Sequence, residues 1–343
     1  MKFDFVIGNP PYQDETIGEN KGFAPPVYHL FLDETYALGD KVEMIHPARF
    51  LFNAGSTPKQ WNEKMLNDKH FKVLFYEENA DTVFPNTDIK GGITISYHDK
   101  SKEYEAVRIF TQYSYLNSIL GKVNSKSKKA LDSIGVSSYS YHFTDTMHYE
   151  NPGAKEVQSK GHEYDLKSNI IEKLPAIFHD TMPQDGKEYI IIVGRANNER
   201  VNKFIRKAYI NNVINLDKYK LFIPKASGKG AFGETLGSII VAEPNMGYTE
   251  TFFSIGQFTN EAETLNLLKY IKCKFSRALL SVLKKTQNVT PSNFKYVPLQ
   301  DFTPDSDIDW SVSVADIDKQ LYKKYGLSPE EIEFIETHVK EMV

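Results

Sequence analysis

The sequence predicts a parallel α/β sheet followed by an α+β second domain, and three observations carry that expectation. Over the first hundred residues, short apolar runs alternate with segments of helical spacing, the pattern of strands joined by crossover helices. Beyond residue 115 the runs shorten, are bounded by Gly, Pro and Asn, and lead into one long amphipathic stretch. The 343 residues, 41% hydrophobic and 25% charged, suffice for two domains, each with its own core.

The elements follow in order. Phe3 to Ile7 is a buried-type strand that stops at Gly8-Asn9-Pro10-Pro11, a rigid turn. A polar loop, Gln13 to Ala24, leads to Val27 to Leu38, where Val27, Leu30, Phe31, Tyr36 and Leu38 lie close to helical spacing. Lys41 to Pro47, Lys72 to Tyr76 and Gly92 to His98 read as strands, with a helix over Pro58 to Asp68. Tyr104 to Val136 weakens into a Ser- and Lys-rich helical connector, which places a domain boundary near residue 115. Strand-like runs then follow at Tyr189 to Val193, Lys220 to Pro224, Ser238 to Ala242 and Thr251 to Ile255. One helix is expected over Glu261 to Lys285, its apolar stripe formed by Leu265, Leu268, Ile271, Phe275, Leu279, Leu280 and Leu283. A last helix begins at Pro329, capped by Ser328.

Composition excludes several classes. No apolar run approaches the roughly 20 residues of a membrane span, and the first residues lack signal-peptide order, so a cytoplasmic protein is expected. A single cysteine, Cys273, supplies neither an internal disulfide nor a thiolate zinc site, and no metal is expected. The net charge of −4 is unevenly spread. Residues 1–184 hold 20 Lys+Arg against 25 Asp+Glu, residues 185–300 hold 17 against 9, and residues 301–343 hold 4 against 11. The basic block can line a phosphate-binding cleft or form a solvated Lys-rich face.

Asn9-Pro10-Pro11-Tyr12 is the most informative tetrapeptide. Two prolines fix φ and push Asn9 out of the α region, holding the Asn side chain and the Pro10 carbonyl as preset acceptors. Tyr12 adds a flat face beside them, which suits a planar ring whose exocyclic amine donates two hydrogen bonds. Such an amine is a poor nucleophile; acceptors on both N–H groups favour it as positive charge builds during direct methyl transfer. Chance yields this tetrapeptide on the order of once in a thousand chains of this length.

Phe3 to Tyr12 (FDFVIGNPPY) resembles motif IV of the gamma-class N6-adenine DNA methyltransferases, TaqI-like and type IIG restriction-modification enzymes included. Tyr28 to Leu32 looks like the helix whose Phe lines the S-adenosylmethionine pocket, which assigns Phe31 to the cofactor. Val42 to Leu51 looks like the next strand, and Val83-Phe84-Pro85 with Asp88 to Ser96 is similar to the segment whose Phe stacks on the flipped adenine opposite Tyr12. The resemblance implies a catalytic set Asn9, Pro10, Pro11, Tyr12 and Phe84 on a partial doubly wound, Rossmann-like methyltransferase sheet. It makes residues 1–115 the C-terminal half of the catalytic domain, 116–300 a target (DNA) recognition domain, and 301–343 an acidic connector with a C-terminal helix. Only eight residues precede Asn9, too few for a doubly wound cofactor half. That half is expected on a complementary chain or upstream domain, or is lacking.

Elsewhere the signals are weaker. Gly228 to Gly233 (GKGAFG) matches G-x-G-x-x-G but runs into a strand-like segment, so a Lys-flanked loop (Lys225, Lys229) touching DNA phosphates or an ordinary hairpin fits better than a cofactor loop. The expected long helix carries Lys269, Lys272, Lys274, Arg277, Lys284 and Lys285, and Lys272, Arg277, Lys284 and Lys285 join Lys225 and Lys229 as candidate DNA contacts. Gln287, Asn288, Thr290, Ser292 and Asn293 suit base edges or a capped loop equally. Asp165, Lys167, Glu156 and Asp145 are the nearest approach to a nuclease cluster, and His142, His148, His162 and His179 have no ligand spacing. The expected function is site-specific adenine-N6 methylation of double-stranded DNA from S-adenosylmethionine, the base flipped out, within a restriction-modification system. The alternative is a DNA-specificity subunit that is catalytically incomplete without a separate cofactor-binding half; an RNA or protein-amide methyltransferase fits the large downstream domain less well.

Overall fold

The computed structural model describes residues 2–14, 24–52, 55–86, 89 and 91–342. Residues 15–23 of the expected polar loop, and 88 and 90 of the Asp88-to-Ser96 segment, lie outside the described residues. The chain divides into Met1–Gly121 and Lys122–Val343, a division that falls inside helix α3 (Ser114–Lys126).

The first unit comprises β1 (Phe3–Gly8), α1 (Tyr28–Leu38), β2 (Gly39–Pro47), α2 (Lys59–Asn67), β3 (Phe71–Glu77) and β4 (Ile93–Asp99). Its sheet has the order β1-β2-β4-β3. The all-parallel expectation holds for β1 and β2 alone, because β4 runs antiparallel to both β2 and β3. The connections explain this. A crossover through α1 returns the chain parallel, whereas the described residues between β3 and β4 hold a short 3-10 turn over Ala80–Thr82 and no crossover helix, and the chain reverses. Gly92 closes that reversal at φ +79, where a Cβ would lie 2.3 Å from the Glu77 carbonyl oxygen.

Alternation along the strands separates two faces. Val6, Val42 and Met44 pack with Tyr28, Leu32 and Tyr36 of α1 and Trp61 and Met65 of α2. On the other face of the edge strand β1, Phe3, Phe5 and Ile7 are 42%, 49% and 73% exposed.

The second unit contains β5 (Gly135–Val136), α4 (Asp145–Glu150), α5 (Ile170–Lys173), β6 (Tyr189–Ala196), β7 (Glu199–Arg206), β8 (Tyr219–Pro224), β9 (Ile240–Ala242), β10 (Met246–Tyr248) and β11 (Phe252–Phe258). Helices α6 (Glu261–Lys272), α7 (Lys274–Leu280), α8 (Val314–Tyr325) and α9 (Pro329–His338) complete it. The strands form two sheets, β10-β6-β7 and β5-β11-β8-β9, and Tyr141, Phe178, Ile192, Phe222 and Tyr248 share their core.

The single helix expected over Glu261 to Lys285 is two. Cys273 turns extended (φ −56, ψ 142), and the Asp318 carboxylate of α8 accepts from the backbone N–H of Lys274 and of Phe275, each at 2.9 Å. This re-aims the stripe: α6 buries Thr264, Leu267, Tyr270 and Ile271, while Leu265 is exposed. The acidic connector expected to open the 301–343 segment buries Phe302 and Ile308. Ser328 caps α9 as the sequence indicates, in a capping box with Glu331.

One buried cation gives this unit a pH signature. Lys220 is fully buried, its Nζ donating to the carbonyls of Leu216 (3.1 Å) and Glu243 (2.9 Å). Burial pushes its ammonium down to about 7 from 10.5. Between those values the unfolded chain holds a proton that the folded chain has released, so stability rises with pH across that window. Urea unfolding is expected to show this rise between about pH 7.5 and 9.5, with a shallower slope in Lys220→Met. Equal slopes in the two proteins would exclude Lys220 as the source.

Candidate active site at the carboxyl edge of the first sheet

Strand direction decides what gathers at one edge. β1 and β2 are parallel and β4 opposes both β2 and β3, so the carboxyl ends of β1, β2 and β3 and the start of β4 share an edge. Three loops leave it: Asn9 to Tyr12 after Gly8, the Ala48 to Phe52 segment after Pro47, and the Glu78 to Gly92 segment that carries Phe84. In open α/β sheets this is where ligands bind. The Ala48 N–H donates to the Gly92 carbonyl at 2.9 Å, which ties two of these loops together.

The Asn-Pro-Pro-Tyr turn is held at its far side by backbone pairing. Val27 N–H donates to the Tyr12 carbonyl at 3.1 Å and Asp14 N–H to the Pro25 carbonyl at 3.0 Å. Asn9 and Pro11 are exposed, Pro10 and Tyr12 half-buried. Tyr12 packs at the margin of the core that contains Phe50 and Trp61. Its hydroxyl oxygen is buried and, among the described residues, meets no regular hydrogen-bond geometry; burial pushes the phenol above its ordinary value, and the Asn9 side chain pulls partly the other way.

Phe84 follows the 3-10 turn, its N–H donating to the Ala80 carbonyl at 2.9 Å, and it is half-buried. Phe31 lies on α1, away from the buried Tyr28, Leu32 and Tyr36, and is 43% exposed. Behind the edge, His46 is fully buried, with its Nε2 2.7 Å from the Ser96 hydroxyl. Its ring stacks on Tyr28 at 5.6 Å. Burial holds it neutral, its pKa lowered to about 4, so it supports the wall and is not poised as a base near neutrality.

In the second unit the expected cations separate. Lys225 is half-buried, donates to the Tyr139 hydroxyl at 2.6 Å and lies 4.4 Å over that ring; Lys229 and Lys285 are exposed and Lys272 half-buried. Two candidates are corrected. Arg277 is 1% exposed and donates to the carbonyls of Lys272, Gly233 and Lys340; Lys284 is buried against the Glu234 carboxylate. Neither has surface to offer a phosphate.

The glycine-rich loop is also accounted for internally. Glu234 accepts from the N–H of Lys229 and of Gly230, each at 2.7 Å, so the amides that would cradle a phosphate already hold a carboxylate. Gly230 sits at φ +92, where a Cβ would meet the Lys285 backbone at 2.4 Å. The nuclease-like residues do not converge either: Asp165 pairs with His162 (2.7 Å) and His142 (3.5 Å), while Asp145 accepts from Tyr164. Among the described residues no group of three or more His, Cys, Asp or Glu is arranged to hold a metal ion, and no helix is long and apolar enough to cross a membrane. Sequence reading missed Arg195, Arg200 and Tyr139, which line a groove with Lys225; the Asn197-Asn198 turn signal was available to find the first two.

Comparison with known proteins bears on the first unit. Residues 1–84 match the family described as Eco57I restriction-modification methylase. A protein of Mycoplasma pneumoniae (strain ATCC 29342 / M129 / Subtype 1) described as an uncharacterized adenine-specific methylase is 33% identical over 95 residues, 27% of this chain and 22% of that protein. Among solved structures, the type IIG restriction endonuclease BpuSI is 9% identical at a TM-score of 0.31, covering 98% of this chain and 54% of that one. The type IIL restriction-modification enzyme MmeI in complex with DNA is 10% identical at a TM-score of 0.33, covering 97% and 56%. The chain thus spans about a fifth of the curated relative and just over half of each of these solved chains.

Proposed function

We propose that this chain is the target-presenting part of an adenine-N6 DNA methyltransferase of a restriction-modification system, with a second unit that recognises double-stranded DNA. The observation that carries the reading is the Asn9-to-Tyr12 turn at the carboxyl edge of β1, inside the stretch that matches a methylase family. The Asn9 side-chain oxygen and the Pro10 carbonyl accept from the two N–H groups of a flipped adenine's N6 amine. Tyr12 offers its ring as one stacking face, and Phe84, on a loop at the same edge, offers the other. Holding both amine protons in acceptors favours the pyramidal, positively charged amine of the transition state over the planar one of the ground state. Flipping costs a few kcal/mol of unstacking, which contacts from a duplex-gripping unit offset.

The described residues do not by themselves fit S-adenosylmethionine. The one glycine-rich loop of the second unit has its amides occupied by Glu234, and Phe31 contributes a single exposed ring. On this reading the donor site is completed by a polypeptide that adds a strand to the edge of β1 that no described strand pairs and covers Phe3, Phe5 and Ile7. A catalytically incomplete DNA-specificity subunit is the second reading, favoured by the same uncovered edge.

Calorimetric titration with S-adenosylmethionine, with and without duplex DNA, tests the premise the two readings share, that the donor site is incomplete. Duplex affinity without donor binding supports that premise; donor binding at micromolar concentration by this chain alone overturns it. A chain that binds neither overturns both. In any active assembly the methylated product is expected to be N6-methyladenine by mass spectrometry of digested DNA, and methylcytosine alone would refute the adenine assignment. Tyr12→Ala is expected to weaken the fluorescence rise of a 2-aminopurine duplex several-fold, by loss of about 1–3 kcal/mol of stacking, whereas Tyr12→Phe keeps it. An unchanged signal in Tyr12→Ala would remove Tyr12 from the stacking role.

A further inference from the structure

The strongest unassigned feature is the tip of the β6–β7 hairpin in the second unit. β10 pairs with β6 over Ile191 to Val193, and beyond it β6 and β7 continue as a two-stranded ribbon, in register to Arg195 opposite Arg200 and Ala196 opposite Glu199. They are joined by Asn197 and Asn198, at φ +52 and +64, the left-handed pair that a tight two-residue hairpin turn requires. Like charges directly opposite on a ribbon destabilise it. Yet both arginines are exposed, and among the described residues neither lies within 4.0 Å of a carboxylate.

Their surroundings hold them in place without neutralising them. Arg195 donates one Nη2 bond to the Asn198 carbonyl at 2.9 Å. Arg200 donates to the Ser238 carbonyl at 3.4 Å, and its guanidinium lies 5.2 Å over the Phe252 ring. Each keeps most of its five donors free. Both line a groove of about 740 Å³ together with Lys225, Tyr139, Asn288 and Phe252. The one carboxylate in its wall, Glu250, accepts from the Ser168 N–H at 3.1 Å.

We infer that the β6–β7 hairpin is a base-reading ribbon, entering the DNA major groove and presenting Arg195 and Arg200 to guanine O6 and N7, while Lys225 and Asn288 hold the flanking backbone. This rests on the DNA reading proposed above and names the residues that set its sequence preference. A B-form major groove admits a two-stranded ribbon, and a guanidinium matches the guanine edge bidentately. The deep, narrow major groove of an RNA duplex admits neither. The ring beneath Arg200 and the backbone bond on Arg195 preorganise the forks, so less side-chain entropy is lost on binding.

The test is selection of the full chain on a randomised, end-labelled DNA duplex pool, for the native protein, Arg195→Lys and Arg200→Lys. The native chain is expected to enrich a site containing guanines. Each lysine variant retains charge, so its affinity for unselected duplex and its salt dependence stay within about twofold, while preference at one position falls about tenfold. Replacing that guanine by 7-deazaguanine, which lacks the N7 acceptor, lowers native affinity about as much and leaves the matching variant unaffected. An enriched site unchanged in both variants, or duplex binding that enriches nothing, overturns the hairpin assignment and leaves the DNA reading standing. Equal binding of double-stranded RNA also overturns the hairpin assignment. A native chain with no duplex affinity overturns the DNA reading itself.

Discussion

Asn9→Ala is expected to lower the single-turnover rate of adenine methylation by about 10²- to 10³-fold, in whatever assembly supplies the methyl donor, with duplex affinity changed less than about twofold. The split follows from where Asn9 acts. It is exposed at the carboxyl end of β1, outside the core shared by α1, α2 and the sheet, so its truncation leaves the scaffold intact. On the proposed reading, the grip on the duplex comes from cations elsewhere, chiefly through phosphates. What the variant loses is an acceptor that matters more as the amine pyramidalises than while it is planar, and such an interaction appears in the rate and not in binding. Rapid-quench methylation alongside fluorescence anisotropy on the same duplex measures both. A variant that loses affinity in proportion to rate would place Asn9 in docking and not in the reaction.

The first unit was legible because its strands are short, apolar and punctuated. Phe3 to Ile7 against the observed Phe3–Gly8, and Val27 to Leu38 against Tyr28–Leu38, differ only at the ends, where a proline turn and a glycine set the limits. The direction of β4 was not legible. The run Ile93 to Asp99 reads the same either way, and direction follows from a connection between β3 and β4 whose described residues hold no crossover helix. In the second unit β7 was missed because Glu199, Arg200, Asn202, Lys203 and Arg206 mask a strand whose partner is only a turn away. The break at Cys273 depends on Asp318, 45 residues downstream (318 − 273), and local periodicity carries no trace of it. Arg277 and Lys284 show the same blindness in another form. A helical period locates a cation on a face but does not report that carbonyls of Gly233 and Lys340, or the carboxylate of Glu234, are folded onto that face.

That last pair sets the other large effect. Glu234→Ala is expected to destabilise the second unit by about 3–5 kcal/mol, the range for breaking one side of a buried ion pair. Lys284 is buried, its ammonium donating to Glu234 and, at 3.3 Å, to the Thr286 carbonyl. Without the carboxylate it is left as a buried charge with a single neutral acceptor. The same change strips the acceptor from the Lys229 and Gly230 amides, loosening a loop in which a Cβ at Gly230 would meet the Lys285 backbone. Burial alone would raise the Glu234 pKa, but the Lys284 ammonium and the two amides outweigh it and hold the carboxyl below its ordinary value. The depressed value means that the pair's contribution is full above the unfolded carboxyl pKa of 4.5 and is lost as pH falls through the lower folded value. Glu234→Gln keeps an acceptor for the amides and is expected to recover part of the loss; the double variant Glu234→Leu with Lys284→Met removes both charges and is expected to cost less than Glu234→Ala alone. Urea unfolding of the three variants at neutral pH reads the order directly. A double variant no more stable than Glu234→Ala would mean that the amide contacts, lost in both, and not the stranded ammonium, dominate the cost.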